Sequence, residues 1–166
     1  MGFDVKLSLG VFNVPYESEE KKRFFEGNDS LHTTHEVAEF LEQQYGVMEA
    51  YAQSHNQTLT NCIANGFFNV LEEVVSGKMQ SNPFETGLEE IREDFQRFLT
   101  SYEAERVNIP GTPTLDALRG VIRRYNVYEG PRRPSFVATG LYKESFAAQI
   151  EEAFDITHGI EKPEWL

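Results

Sequence analysis

Three runs of apolar residues at helical spacing limit what this chain can fold into more than any other feature. The first run predicts a helix from about Thr34 to about Ser54. The second predicts a helix from about Thr58 to Ser76, with Gly77 placed as its C-terminal cap, and the third predicts one from about Pro83 to about Arg106. The second helix has an apolar stripe of Leu59, Cys62, Ile63, Phe67, Val70, Leu71 and Val74. Residues 31–106 are therefore expected to form a three-helix segment.

A half-buried strand is predicted before the helices. Apolar Val5, Leu7, Leu9 and Val11 alternate with Lys6, Ser8 and Gly10, which is the period of a strand with one covered face. We place this strand within residues 2–14, a charged loop at 15–30 and a polar tail at 154–166. No change of composition divides the 166 residues. The prediction is an α+β fold, a helix-rich single domain over 1–166 with a small β-sheet that includes the N-terminal strand.

Residues 107–153 form a basic segment that is rich in turns. Thr112 is placed as an N-cap for a short helix from Pro113 to Tyr125, and Asn126 to Glu129 is a candidate brief strand. Gly130, Pro131 and Pro134 then predict a rigid extended turn. After Gly140 the sequence fits either a helix or a short turn followed by a strand from about Ser145 to Glu151.

Charge is divided unevenly along the chain. Between residues 119 and 143 six basic residues stand against Glu129 alone, giving +5 in a protein whose net charge is −12 and leaving −17 on the rest. The basic residues are Arg119, Arg123, Arg124, Arg132, Arg133 and Lys143. The overall acidity argues against a general nucleic-acid binder, because phosphate contacts require cations. A solvated basic face is one interpretation of this segment, and a contact surface for an acidic partner is the other.

The contact interpretation is favoured because arginine makes bidentate contacts with carboxylate or phosphate and is common at interfaces. The nearest acidic surface belongs to another copy of the chain, and a head-to-tail contact of this kind closes into a ring or extends as a filament. Gly140 can supply a backbone angle that other residues resist, and Thr139 can cap the following turn. The candidate interface residues are Arg119, Arg123, Arg124, Arg132, Arg133, Phe136, Thr139, Gly140 and Tyr142.

Catalytic and metal-binding patterns find little support. His32 and His35 have a spacing that suits two metal ligands on one helix face, but no further ligand follows in a recognised pattern, so surface or capping roles are favoured. Cys62, the single cysteine, lies on an apolar stripe and is expected to be a buried, inert thiol. Adjacent acids such as Glu72 and Glu73 fall on polar helix faces. We expect no catalytic residue, cofactor or metal.

Localisation follows from the same composition. One cysteine excludes an intrachain disulfide, and the first ten residues lack the layout of a signal peptide. No run approaches the ~18 apolar residues that a membrane-spanning helix needs. The sequence therefore predicts synthesis in the cytoplasm and no membrane partner.

A family resemblance is carried by the C-terminal part of the chain. Arg133 to Phe136, leading into Thr139 to Tyr142 and then Ser145 and Phe146, resembles a Pro…Thr-Gly…Ser signature of small structural proteins of tailed bacteriophages. These are the tail-completion or neck proteins, also called minor tail or virion morphogenesis proteins. Gly111 to Gly120 is similar to a run found in prophage proteins. The resemblance covers about 40 residues.

The resemblance implies an α+β fold and a ring-forming, non-catalytic role between the capsid portal and the tail. It also implies a place in the virion, with a connector and a tail tube as partners. An acidic ring can line a channel for DNA, because like charges prevent sticking. Two other hypotheses stay open. The first is a binding module that uses the arginines to hold nucleic acid or an acidic protein, and the second is a small enzyme.

Overall fold

A two-stranded antiparallel sheet joins the beginning of the chain to its C-terminal part in the computed structural model, which describes residues 4–15, 33–77, 82–122, 129–138 and 140–153. The strands are β1 Asp4–Val11 and β2 Phe146–Ala153. Seven helices lie between them in the described ranges. They are α1 Thr34–Tyr45, α2 Val47–Ser54, α3 Asn56–Ser76, α4 Glu85–Thr100, α5 Glu103–Arg106, α6 Leu115–Leu118 and α7 Leu141–Glu144.

The sheet confirms the α+β prediction and its N-terminal strand. Leu7 pairs with Ile150, and Val11 pairs with Phe146, whose ring is fully buried. The sequence after Gly140 forms one helical turn, α7, and then β2, so the second of the two predicted options is confirmed. A loop at 15–30 and a tail at 154–166 were also predicted, and these lie outside the described residues apart from Pro15.

The first predicted helix is two helices, because Gly46 interrupts it. Gly46 has φ 62°, a left-handed angle that glycine adopts without steric cost, and it ends α1. The carboxylate of Glu42 then accepts hydrogen bonds from the amides of Met48 at 2.7 Å and Glu49 at 3.1 Å. Glu42 thereby satisfies the free amides in the first turn of α2, so the break costs little.

The second predicted helix is confirmed at its C-terminus, where Gly77 has φ 69° and caps α3. α3 and α4 pack as an antiparallel pair through two glycines. A Cβ on Gly66 would lie 2.0 Å from the ring of Phe84, and a Cβ on Gly87 would lie 2.8 Å from the carbonyl oxygen of Cys62. The absence of side chains at these two positions is therefore what allows the helices to approach closely.

Two further predicted helices are too long. The third ends at Thr100 rather than Arg106, because Tyr102 has φ 61° and starts the separate turn α5. The helix predicted from Pro113 to Tyr125 is reduced to α6, and its N-cap is Thr114 instead of Thr112. Gly120, at φ 64°, ends it against the backbone of residues 130–131.

The predicted strand from Asn126 to Glu129 falls mainly on residues that the structure does not describe, namely 126–128. Glu129 itself is a bend. The last residues of the predicted helix, 123–125, likewise lie outside the described ranges.

The core is aromatic and lies between α2, α4 and the sheet. The rings of Phe95 and Phe146 stack with centroids 4.0 Å apart, and Tyr51 meets Phe95 edge-on at 5.0 Å. Tyr51, Phe95, Phe98 and Phe146 are all fully buried. Packed aromatic pairs of this kind are worth about 0.5–1.5 kcal/mol beyond their burial, so these four rings hold the helices to the sheet.

Candidate interaction site

An open groove runs between α1 and two stretches of the turn-rich segment, residues 111–116 and 133–138. It has a volume of about 580 Å³. Its apolar lining consists of Val37, Phe40, Leu41, Tyr45, Leu115 and Phe136, and its polar lining includes Thr114, Asp116 and Arg133. Phe40 is 48% exposed and Leu115 is 69% exposed, so both side chains are available to a partner. We call this feature the α1 groove.

Arg133 supports the wall of the α1 groove from within. Its guanidinium donates to the carbonyl oxygens of Val121 at 2.8 Å, Val137 at 3.2 Å and Pro134 at 3.3 Å. Burial lowers the pKa of Arg133, and the carboxylate of Asp116 opposes that effect. Arg133, predicted as an interface residue, thus has an internal role as well, because it joins the backbone at Val121 to the backbone at Pro134 and Val137.

Arg132 is also engaged inside the chain. It donates to a carboxylate oxygen of Glu105 at 2.7 Å and lies 5.2 Å from the centre of the Tyr102 ring. The other oxygen of Glu105 accepts from the amide of Ser135 at 3.0 Å and from its hydroxyl at 2.8 Å. Burial alone would raise the pKa of Glu105, but the bonds from Ser135 and Arg132 outweigh it and hold that pKa below its usual value.

The remaining predicted interface residues divide between surface, backbone and core. Arg119 is exposed at the end of α6. Phe136 has φ 67°, and its ring meets Tyr45 edge-on at 5.1 Å across the α1 groove. Gly140 has φ 83° and starts α7, as its predicted backbone role requires. Arg123, Arg124 and Thr139 lie outside the described residues.

Tyr142 is a core residue, which corrects its place among the predicted surface contacts. Its side chain is only 4% exposed and packs edge-on against Phe95, and burial raises the pKa of its hydroxyl. Ser135 and Ser145 are buried as well. Four of the residues that carry the phage resemblance are therefore buried and contribute to the fold, namely Ser135, Tyr142, Ser145 and Phe146.

A second apolar surface lies on the C-terminal half of α3. The predicted stripe is buried only at Leu59 and Cys62 in the first half of the helix. Beyond Gly66 the exposed fractions are 37% for Phe67, 67% for Phe68, 60% for Leu71, 75% for Val74 and 88% for Val75. We call these five residues the α3 ridge. Phe67 is partly covered, because its ring meets Phe84 edge-on at 5.4 Å. Among the described residues the other four extend past α4, which begins opposite Gly66.

A polar cluster surrounds His55 at the junction of α2 and α3. His55 Nε2 lies 3.6 Å from Asp94 Oδ2 and 3.6 Å from Glu103 Oε1, and Nδ1 lies 3.0 Å from the hydroxyl of Ser54. The Ser54 hydroxyl is also 2.8 Å from the carbonyl oxygen of Ala50, which is the usual bond of a helical serine. The same Asp94 accepts from the Tyr51 hydroxyl at 3.2 Å. Serine, histidine and acidic side chains thus meet at this junction, with the two acids at Nε2 of His55 and the serine at Nδ1.

Cys62 is buried, as predicted, and its thiol donates to Glu90 at 3.4 Å. Burial, with help from Glu90, raises the pKa of the Cys62 thiol to about 11. A thiol with this pKa is a poor nucleophile at neutral pH.

Metal ligands are not gathered in the part of the chain that the structure describes. His35 pairs with Glu39 at 3.4 Å on the exposed side of α1, while His32 lies outside the described residues. The described residues contain no group of three or more His, Cys, Asp or Glu side chains arranged for a metal. None of the described helices combines the length and apolarity that crossing a membrane demands.

No family model, curated protein or solved structure matches this chain. The phage hypothesis therefore rests on the resemblance of residues 111–146 alone.

Sequence reasoning missed both apolar surfaces. Phe67, Leu71 and Val74 belong to the apolar stripe predicted for the second helix, but the pattern does not show that they stay exposed. A signal was present in α3, because Phe67, Phe68, Val70, Leu71, Val74 and Val75 are more apolar residues than a single covered face needs.

Proposed function

We propose that this protein is a non-catalytic structural protein that assembles head to tail with copies of itself, as a ring at the neck or tail of a tailed-phage virion. The observation that carries self-association is the α3 ridge, where five large apolar side chains lie exposed on one helix end. Contiguous apolar patches of this kind typically mark surfaces that bind another protein. The ring and the virion come from the sequence resemblance.

The distribution of charge favours contact between unlike surfaces. Residues 34–76, which include α1, α2 and α3, contain six glutamates and no lysine or arginine. Residues 108–143 contain six basic residues and two acids. Complementary surfaces on one chain guide the register of neighbouring copies and disfavour contacts between like surfaces. A contact between unlike surfaces is heterologous, and it closes into a ring when the rotation between copies allows.

The alternative use of the basic segment, as a site for nucleic acid, has less support. Arg132 is paired with Glu105, and Arg133 donates to three backbone carbonyls. Both side chains therefore already make contacts within the fold. The net charge of −12 also repels phosphate at long range.

Electron microscopy of the negatively stained protein tests the ring. We expect closed rings of uniform diameter, whereas isolated small particles at every concentration would contradict the proposal. Fluorescence anisotropy with duplex DNA across a salt series tests the alternative. Tight binding that weakens steeply with salt would favour the nucleic-acid module.

The virion assignment has a test of its own, which is the identity of the neighbouring genes. We expect them to encode portal, capsid or tail-tube proteins. Neighbours that encode metabolic enzymes would contradict a place in the virion while leaving self-association intact.

A further inference from the structure

Building on the proposed self-association, we infer that the α3 ridge of one copy inserts into the α1 groove of the next copy. Among the described arginines of the basic segment, Arg133 alone lines one of these two surfaces, in the wall of the α1 groove.

The shape of the α3 ridge suits a groove. At about 100° per residue, Phe67, Phe68, Leu71, Val74 and Val75 fall within an arc of about 120° on one side of α3. The spacing from Phe67 to Leu71 to Val74 is the i, i+4, i+7 pattern with which an amphipathic helix anchors in an apolar groove. The ridge is therefore a continuous stripe instead of scattered exposed residues.

The position of the α3 ridge leaves it available to another molecule. The amide of Asn69 donates to the carbonyl oxygen of Pro83 at 2.9 Å, which fastens α3 to the chain entering α4. Exposure rises beyond this point and reaches 88% at Val75. Among the described residues, no part of α3 lines the α1 groove of the same copy. Each copy thus offers a ridge and a separate groove.

The groove offers matching chemistry. Phe40, Leu115 and Phe136 provide aromatic and aliphatic surface around a volume of about 580 Å³. Burying Phe68 and Leu71 there would remove exposed apolar area from both partners, which is the main driving force of association between apolar surfaces.

The charged residues near the two surfaces favour the α1 groove, rather than a second ridge, as the partner of the α3 ridge. Glu72 lies at the edge of the α3 ridge, about 40° around the helix from Phe68, whereas Glu73 lies on the opposite side of α3. Two ridges packed together would therefore bring the two Glu72 carboxylates close, which is unfavourable. The groove side is mixed. In its lining the carboxylate of Asp116 is balanced by the guanidinium of Arg133, and neither Arg119 nor Glu39 belongs to that lining. A ridge with one glutamate at its edge therefore meets less repulsion at the groove than at another ridge.

Two variants that block opposite surfaces test the inference. Leu71→Glu places a charge on the α3 ridge, and Phe40→Glu places one in the α1 groove. The matched controls are Leu118→Glu and Phe12→Glu, because these side chains are 43% and 59% exposed and belong to neither surface. Each blocking variant should weaken self-association about a hundredfold, as loss of a central interface contact does, and each control should associate like the unmodified protein.

The decisive sample is an equimolar mixture of Leu71→Glu and Phe40→Glu, measured by light scattering after gel filtration. The first variant keeps its groove and the second keeps its ridge, so one intact contact can form between them. We expect a heterodimer that grows no further. If the mixture stays monomeric, or if Phe40→Glu assembles like the unmodified protein, the ridge–groove contact is overturned while self-association stands.

Failure of the proposed function gives a different result, since the unmodified protein and both controls would then be monomeric too. Circular dichroism checks that every variant is folded. If either blocking variant does not fold, Val75→Asp and Leu115→Asp replace the pair, because these two side chains are 88% and 69% exposed. If a different protein covers the α3 ridge, the blocking substitutions will leave the mass of the purified protein unchanged. That result overturns the inference.

Discussion

Replacing Glu105 with alanine should cost the fold about 2–4 kcal/mol, which is the loss of three contacts less the gain from no longer burying a charge. The two bonds from Ser135 go to a carboxylate that is only 6% exposed, and hydrogen bonds to charged groups are worth about 1.5–3 kcal/mol each. Part of this loss is offset in the variant, because a charge is no longer buried there. The Arg132 side chain is 53% exposed, so its ion pair adds only about 0–1 kcal/mol. The amide of Ser135 would be left without its acceptor.

Urea unfolding followed by circular dichroism measures this loss. With a slope of about 1–3 kcal/mol per molar urea, the midpoint should fall by about 1–2 M. Glu93→Ala, at an exposed position on α4, is the matched control and should change stability by less than about 0.5 kcal/mol. A double-mutant cycle with Ser135→Ala should give a coupling of about 1 kcal/mol. A Glu105→Ala variant no less stable than the Glu93→Ala control would refute the reasoning.

The same contact predicts a pH dependence with a definite sign. The pKa of Glu105 is held below its ordinary value of 4.5 in the folded protein, so the carboxylate stabilises the fold at every pH above that value. As the pH falls below 4.5 and through the lower folded pKa, this contribution is lost. The difference in unfolding free energy between the unmodified protein and Glu105→Ala should therefore be full at neutral pH and shrink in acid. A difference that grows in acid would contradict the assigned sign.

Three further substitutions or modifications test the fold and the groove wall. Gly66→Ala should cost about 1–3 kcal/mol in urea unfolding, because the new methyl group would lie 2.0 Å from the Phe84 ring, and an unchanged midpoint would contradict the close helix packing. Cys62, whose pKa is raised to about 11, should react slowly with a thiol reagent at neutral pH and quickly in urea, whereas fast reaction of the folded protein would show that it is accessible. Arg133→Lys should lower the free energy of unfolding by about 1–3 kcal/mol, because lysine cannot reach three carbonyls at once. Arg119→Lys should change it little, and equal effects of the two substitutions would count against the internal role of Arg133.

Much of the fold follows from local patterns in the sequence. The strand β1 is visible in the alternation from Val5 to Val11, and the end of α3 is visible in Gly77. The break at Gly46 could also have been predicted, because glycine favours the left-handed angle that ends a helix. The break at Tyr102 could not, since tyrosine seldom adopts φ 61° and nothing local indicates it.

The candidate site depends on contacts between residues that are far apart in the sequence. Such contacts produce no periodic pattern in the sequence. Arg132 and Glu105 are 27 residues apart, so the charge of the arginine was visible in the sequence but its partner was not. Exposure of the α3 ridge depends on where α4 begins to pack against α3. Periodicity identifies an apolar face, but it does not say which part of that face a neighbouring helix covers.

The molar mass of the unmodified protein, measured by light scattering across a range of concentrations, tests self-association most directly. The chain alone has a mass of 19.0 kDa. We expect a mass that is an integer multiple of this value and that reaches a plateau as concentration rises, since a closed ring cannot add further copies. A mass of 19.0 kDa at every concentration, from protein that circular dichroism shows to be folded, would contradict head-to-tail assembly.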